Sequence, residues 1–294
     1  MNTEIRFHLK QKTLTNIISY LILIVFTLAY MIPFYIVLVT SFKANNQIAT
    51  AQPFIWFLSG EEFSFSAYVR VFTTYTIFST GRSMILTGFV NTLTILVPVI
   101  VVGMFSSTIA AYAFAKLRFK GKKIMFNLLL FSMMLPGIIL LIPSYFIYDN
   151  IGLTDTFFPL MVPAMFGSAT AVFFLRQSIV AIPNEVIDAA KVDGLNSFGV
   201  FWHIIIPLAK PAIIAQTILG ILAIYNDYLN PLIYLISEEK YTLQIALAMF
   251  STGNGTDMPV VMAGSILSMI PMLIIYFLLQ KYFISGITMS GMKD

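Results

Sequence analysis

The polar side chains that could take part in chemistry lie mainly between residues 183 and 211, in a sequence that is otherwise very apolar. This stretch contains three carboxylates and two adjacent alanines, Glu185, Asp188, Asp193, Ala189 and Ala190. Carboxylates accept hydrogen bonds from a partner at the rim of a contact, and alanines are small enough to enter a cleft. The stretch therefore predicts a short helix that faces solvent, either in contact with a partner or as an amphipathic surface helix without one.

Several other kinds of site are excluded or disfavoured by composition. The chain has no Cys, so it can form neither a disulfide framework nor a thiolate metal site. Its two histidines, His8 and His203, are far apart in sequence, and we predict no metal site. No G-x4-G-K-[ST] sequence occurs, so the loop that cradles nucleotide phosphates is missing. We therefore predict a chain that is not an enzyme and binds no cofactor itself.

Local signals predict how the polar stretch folds. Pro183 discourages continuation of the preceding helix, and Asn184 is predicted to be the N-cap of a short helix within residues 184–195. Acidic residues in the first turn suit the helix dipole, and Gly194 is predicted to be the C-cap.

A second helical segment is predicted to follow at once. Ser197 is its expected N-cap, and the apolar run behind it is interrupted by Pro207 and Pro211. Because proline cannot donate a backbone hydrogen bond, we expect the chain to turn sharply at these prolines.

The remaining sequence is that of an all-α integral membrane protein. Hydrophobic residues make up 59% and charged residues 10% of 294 residues, with a mean hydropathy of +0.89. Stretches of about 20 apolar residues predict six transmembrane helices. Their approximate bounds are 17–40, 85–115, 124–148, 157–180, 211–236 and 258–283.

The distribution of basic residues predicts the orientation of these spans. With both termini in the cytoplasm, only four of the 17 Lys and Arg residues fall outside, namely Lys43, Arg70, Arg82 and Lys240. The basic loop 116–123 is then a cytoplasmic anchor, although a nucleotide or nucleic-acid contact is the other interpretation. We predict a cytoplasmic segment over 1–16, one transmembrane domain over 17–284 and a cytoplasmic tail over 285–294.

The order of residues after Asp188 resembles a known signature. Asp188-Ala189-Ala190, three residues, Gly194, nine residues and Ile204-x-Ile206-Pro207 is similar to E-A-A-x3-G-x9-I-x-L-P, the EAA motif of ATP-binding-cassette (ABC) importer permeases. Asp188 replaces the usual Glu, and Ile206 replaces the usual Leu. Segments along nearly the whole chain, such as AAYAFAKLRFKGKK and QKYFISGITMSG, resemble the carbohydrate (maltose-type) branch of that family.

The resemblance implies a type I ABC importer fold and a division of labour. A second homologous permease completes the channel, two ATPase subunits with ATP and Mg dock on the short cytoplasmic helix, and an extracytoplasmic binding protein delivers the carbohydrate. The expected ATPase-coupling residues are Glu185, Asp188, Ala189, Ala190, Asp193, Gly194 and Pro207. The location implied is the bacterial plasma (inner) membrane, with lipid and no nucleic acid among the partners.

Two further groups of residues are candidates. By the same resemblance, the tail reaches the ATPases through Ser285, Gly286, Thr288 and Gly291; a frayed terminus is the alternative. Asp227 is the one acid inside a predicted span, between Asn226 and Asn230. This trio would either bind sugar hydroxyls along the substrate path or hold helices together.

Two other functions remain as alternatives. An ion-gradient-driven secondary transporter is disfavoured because one acid within the spans is too few for a relay, and no internal repeat of hydropathy is visible. An ABC permease for a non-sugar solute is disfavoured only by the resemblance to the carbohydrate branch.

Overall fold

The computed structural model describes residues 2–43, 63–251 and 257–291, with side chains from residue 15 to residue 280 within those ranges. Apart from one isolated antiparallel bridge between Thr76 and Ser83, the regular structure of this part of the chain is helical. The all-α prediction is confirmed.

The helices follow one another along the chain with short connections. The α-helices are Asn2–Ser41 (α1), Ser66–Thr73 (α2), Met84–Lys116 (α3), Lys122–Met134 (α4), Gly137–Asn150 (α5), Phe158–Met165 (α6), Ala169–Val180 (α7), Asn184–Val192 (α8), Ser197–Val200 (α9), Ile206–Tyr225 (α10), Leu229–Tyr234 (α11), Leu243–Met249 (α12) and Met258–Gly291 (α13). A π-helical turn, Phe201–Ile205, joins α9 to α10, and a 3-10 turn, Glu238–Lys240, precedes α12.

Among the described residues, five stretches are long and apolar enough to cross a membrane as single units: Thr15–Ser41, Met84–Lys116, Phe158–Val180, Ser197–Tyr225 and Met258–Gln280. The pair α4 and α5 passes the same test together but is bent by 97°. Counted as one span, the pair gives the predicted six.

The bend between α4 and α5 follows from a proline. Leu135 has an extended backbone because the ring of Pro136 disfavours helical geometry in the residue before it. Pro143, by contrast, lies inside α5 without ending it. Of the helix breakers in the third predicted span, only the Pro136 region interrupts the helix.

The chain divides into two compact units, residues 1–71 with 250–267, and residues 72–249 with 268–294. In the first unit, the guanidinium of Arg70 donates to both carboxylate oxygens of Asp257, at 3.1 and 3.2 Å. Ser41 Oγ lies 2.9 Å from Tyr68 Oη, so α1 is also joined to α2. These polar contacts connect α1, α2 and the start of α13.

In the second unit, α3 is the central helix, and α6 and α7 approach it closely. A Cβ on Gly103 would lie 2.7 Å from the carbonyl oxygen of Ala164. Ser106 Oγ donates to the carbonyl oxygen of Met165 at 2.9 Å, and Ser107 Oγ accepts from Ser168 N at 3.2 Å. The small residues of α3 therefore permit close helix packing.

A carboxylate in the turn between α5 and α6 organises the loop after α11. Asp155 Oδ1 accepts from Ile236 N and Ser237 N, both at 2.9 Å, and its Oδ2 accepts from Lys240 Nζ at 2.8 Å. Burial alone would raise the pKa of Asp155, but the hydrogen bonds from Lys240, Ser237 and Ile236 hold it well below its usual value. The carboxylate stays ionised and ties two loops together.

We predict that Gly103→Ala destabilises the second unit. The new Cβ meets backbone rather than a flexible side chain, so α3 and α6 must separate, at a cost of about 1–3 kcal/mol. Thermal unfolding of the detergent-solubilised chain measures the effect. Gly137→Ala is the matched control because a Cβ there meets nothing within 4 Å; an equal fall in both variants would contradict the close packing.

We also predict a pH-dependent effect of Asp155→Ala. Because the folded-state pKa is lowered, the ionised carboxylate stabilises the fold above its ordinary pKa of 3.8, and this stabilisation is lost as the pH falls below that value. The variant should lose about 1–2 kcal/mol of unfolding free energy at pH 7 and progressively less below pH 3.8. Asp149→Ala is the control, since the hydrogen bond that this carboxylate accepts from Thr154 is exposed to solvent. A pH-independent difference would contradict the assignment.

Candidate coupling site

The candidate coupling helix, α8, has one face buried in its own chain and the other exposed. Ile187 and Ala190 are 4% and 6% exposed, whereas Glu185, Asp188 and Ala189 are exposed. Of the two alanines in the motif, only Ala189 is accessible to another protein. Ala190 packs against the interior of its own chain and helps to hold α8 in place.

Gly194 ends α8 from the position after the C-cap, which is Asp193 rather than the predicted Gly194. The φ of Gly194 is +89°, a conformation that favours glycine. Gly194 N donates to Lys191 O, and Leu195 N donates to Ala190 O, each at 3.0 Å. These two bonds form a Schellman motif, which satisfies the last carbonyls and ends the helix sharply.

Both predicted N-caps are wrong. Pro183 takes the N-cap position of α8, and Asn184 is already helical, with its side chain accepting a hydrogen bond from another helix. For α9, the N-cap is Asn196 rather than Ser197, because Asn196 Oδ1 accepts from Gly199 N at 2.8 Å. The Ser197 carbonyl instead accepts from Tyr112 Oη at 3.1 Å.

The side chain of Lys116, the last residue of α3, forms hydrogen bonds with the segment that connects α7 to α8. Its Nζ donates to the carbonyl oxygens of Val180 and Ile182 at 3.3 and 2.5 Å, and to Asn184 Oδ1 at 2.9 Å. A lysine charge suits the end of α7, where carbonyls lack partners within the helix. One side chain thus joins the end of α3, the end of α7 and the start of α8.

Beneath α8 lies a hydrophobic core built from several helices. Its buried residues include Ala111 and Phe114 of α3, Leu175 and Ile179 of α7, and Phe201, Ile205 and Ala209 further along the chain. Arg176 donates to the carbonyl oxygen of Phe114 at 3.3 Å and lies 4.2 Å over the ring of Phe126 in α4. Ile187 and Ala190 of α8 belong to the same core as these residues of α3, α7, the π-helical turn and α10.

The predicted break at the motif proline does not occur. The helical path continues from Ser197 to Tyr225, with Pro207 in the first turn of α10 and Pro211 within it. The π-helical turn immediately before Pro207 makes this possible: Ile206 N donates to Phe201 O, five residues back. Pro207 has no N–H to donate to the helix, and its ring would clash with the backbone of the turn before it. The wider π-helical turn shifts the hydrogen-bonding pattern by one residue, which accommodates the proline without ending the helix.

The exposed face of α8 combines charge with apolar surface. Asp188 pairs with Lys191 at 3.4 Å, but their side chains are 71% and 54% exposed, so the pair stabilises the helix little. Val186 and Val192 are 40% and 87% exposed, and Phe198 in the next segment is 62% exposed. This surface can bury apolar area and accept hydrogen bonds at its rim.

Asp227 lies between two helices rather than within one, whereas Asn230 belongs to α11. The helix α10 ends at Tyr225, so Asp227 occupies the connection to α11. Its carboxylate accepts from Asn230 N and Asn230 Nδ2 at 3.3 and 2.8 Å, while Asn226 Nδ2 donates to Leu222 O. The contacts join Asp227 to Asn230 but leave Asn226 facing its own helix, which favours the structural interpretation.

The structure says less about the other candidate residues. The backbone of α13 continues through Gly291, but the side chains of Ser285, Gly286, Thr288 and Gly291 lie outside the described residues. Within the side chains that are described, no three His, Asp or Glu residues gather as metal ligands. Lys116 was not identified from the sequence, since its contacts span more than 60 positions.

We predict that Lys116→Met loosens α8. Loss of the three hydrogen bonds should speed backbone hydrogen exchange over residues 184–195 by roughly tenfold. Lys120→Met is the matched control, since Lys120 is an exposed lysine of the same basic loop. Equal exchange in both variants would show that the packed core alone holds the helix.

Comparison with known proteins agrees with this geometry. The chain is 32% identical over 286 residues to the arabinooligosaccharides transport system permease protein AraQ of Bacillus subtilis, covering 97% of this chain and 99% of the relative. It is also 32% identical to the inner membrane ABC transporter permease protein YcjP of Escherichia coli, with coverage of 96% and 98%.

A solved structure shares the fold. A chain of a bacterial ABC transporter that imports the acidic polysaccharide alginate matches with a TM-score of 0.76 and 25% identity, covering 93% of this chain and 98% of that one. Residues 100–289 match the family described as the binding-protein-dependent transport system inner membrane component, a span that includes the whole candidate coupling site. The chain belongs to this family of inner-membrane transport components.

Proposed function

We propose that this chain is one of two permease subunits of an ATP-driven importer for a carbohydrate, and that α8 couples it to partner ATPases. The proposal is supported by the relatives, one of which is named for arabinooligosaccharides and another for lactose. The single observation that supports the coupling role is the burial pattern of α8. One face of the helix is buried against its own chain, and the opposite face is exposed and can bind another protein.

The exposure of individual side chains supports a smaller set of proposed contact residues. Glu185, Asp188 and Ala189 lie on the exposed face of α8, and Asp193 is exposed beside Gly194. Carboxylates at this rim accept hydrogen bonds from the ATPase, while Ala189 and the exposed valines enter its cleft. Ala190, Gly194 and Pro207 then act within the chain, by seating the helix, ending it and shaping the turn into α10.

Motion of α8 is transmitted through packing. Because α8 shares one core with α3, α7 and the π-helical turn, a displacement imposed by the ATPases moves these segments together. ATP shifts the equilibrium between two arrangements only through contacts that differ between them, and the exposed face of α8 provides such contacts.

The other subunits of the proposed importer are separate chains. A second, homologous permease completes the channel, two ATPase subunits bind ATP and Mg, and an extracytoplasmic binding protein delivers the carbohydrate. The C-terminal residues from Ser285 to Gly291 contact the ATPases. This chain supplies the membrane path and the coupling helix, and it hydrolyses nothing itself.

The test is affinity purification of the chain from its native membrane, with co-purifying proteins identified by mass spectrometry. Wild type should recover a second permease and an ATPase, and Gly194→Pro should lose the ATPase because proline cannot adopt a φ of +89° or donate to Lys191 O. Binding should fall at least tenfold.

Gly152→Pro is the matched control, since Gly152 also has a positive φ, of +69°, but lies in the predicted outer turn. It should retain the ATPase. Recovery of the chain alone, together with solute transport in liposomes under an ion gradient, would instead establish a secondary transporter.

A further inference from the structure

The basic loop, residues 116–123, carries positive charge that its own chain does not neutralise. Arg118, Lys120 and Lys123 are exposed, and none of their side chains forms a hydrogen bond or an ion pair with a described residue. No Asp or Glu occurs in residues 63–148, on either side of the loop. We refer to these three residues as the free cations.

A tight turn fixes the shape of the loop. Lys122 N donates to Phe119 O at 3.5 Å, and the φ and ψ of Gly121 are +82° and −1°. These angles are those of the third residue of a type II β-turn, a position that favours glycine. Lys122 Nζ also donates to Leu117 O at 2.8 Å. The ring centres of Phe119 and Phe114 lie 5.9 Å apart, which ties the turn to the end of α3.

The turn sets the positions of the free cations. Lys120 is at its corner, and Arg118 and Lys123 flank it on either side. Because the chain reverses direction between them, the two flanking residues are brought towards each other. Lys123 also lies in the first turn of α4, which contains no acid and where the helix dipole disfavours a cation. The cluster does not stabilise the helix that follows it, so its charge is available to an anion from outside the chain.

Apolar side chains continue directly from the free cations along α4. Ile124, Leu128 and Phe131 are 68%, 61% and 59% exposed, and their spacing places them on one face of the helix, which we call the apolar stripe. All side chains of α4 are described and none is buried, and α4 with α5 forms one candidate span. Cations at the end of an exposed apolar stripe match the polarity of a phospholipid, which has a phosphate at one end and acyl chains at the other.

We propose that the basic loop is a binding site for an anionic phospholipid at the predicted cytoplasmic surface of the membrane. The guanidinium of Arg118 forms paired hydrogen bonds with the phosphate, Lys120 and Lys123 add positive charge around it, and the apolar stripe contacts an acyl chain. Phosphatidylcholine carries an ammonium group that the free cations repel, so phosphatidylglycerol binds more tightly. The site concerns the membrane itself and does not depend on the proposed transport function.

Orientation of the spans does not by itself require this arrangement. The bias of Lys and Arg towards the cytoplasm depends on how many of these residues a short loop contains, and not on a particular turn or on which side chains are unpaired. A lipid site depends on both. The positions of the charges, rather than their number, therefore distinguish a binding site from an anchor.

The test is native mass spectrometry of the full chain, delipidated in detergent and titrated with dioleoyl phosphatidylglycerol or dioleoyl phosphatidylcholine. Wild type should bind phosphatidylglycerol with a Kd lower by roughly fivefold or more. Replacing all three free cations, with Arg118→Gln, Lys120→Gln and Lys123→Gln combined, should raise the Kd for phosphatidylglycerol by about tenfold or more and leave that for phosphatidylcholine unchanged.

Two matched pairs of variants separate a shaped site from net charge. Lys123→Gln should raise the Kd for phosphatidylglycerol about threefold, whereas Lys210→Gln, at an exposed lysine of α10, should not change it. Gly121→Val alters no charge but removes the turn, because a β-branched residue does not readily adopt a φ of +82°. It should also raise the Kd about threefold, whereas Gly81→Val, at a φ of +66° in another loop, should not.

Equal Kd values for the two lipids in wild type, or equal effects of both members of either pair, would overturn the site. Displacement of phosphatidylglycerol by inorganic phosphate would show that the loop binds a free anion, and would overturn the lipid assignment as well. If the triple variant does not fold, the single substitutions decide. Loss of ATPase co-purification in wild type would instead contradict the proposed function and leave this site unaffected.

Discussion

The burial of Ile187 and Ala190 is the interaction on which the candidate coupling site depends. A helix of nine residues is not stable alone in water, so α8 exists because its apolar face packs on α3, α7 and the π-helical turn. Full burial of one isoleucine side chain contributes about 1.5–3 kcal/mol, which exceeds what the exposed Asp188 pair provides. The same contacts make α8 part of the helix bundle, so a force on its outer face reaches the membrane helices.

Composition and local signals predicted much of this arrangement. Hydropathy identified six apolar segments, because a membrane span needs a long apolar run whatever it packs against. Gly194 was identified as the end of α8 because a positive φ is a local requirement that glycine meets at little cost. The close packing of α3 at Gly103 and Ser107, by contrast, emerges only from the structure.

The errors arise where tertiary contacts outweigh local preference. Asn184 is a good N-cap by type, but its side chain is used by Lys116, a residue 68 positions away. Pro207 was expected to break a helix, and the π-helical turn accommodates it instead, which no periodicity reveals.

The central claim is that α8 moves as one body with the helices that carry it, and a distance within the chain tests it most directly. Since the chain has no Cys, Val90→Cys and Val192→Cys, both at exposed positions of α3 and α8, accept spin labels uniquely. Pulsed electron paramagnetic resonance on the assembled, transport-active protein should give the same distance distribution without nucleotide and with ATP trapped. A shift of more than about 3 Å, over half a helical turn, would show that α8 moves independently and would contradict the account.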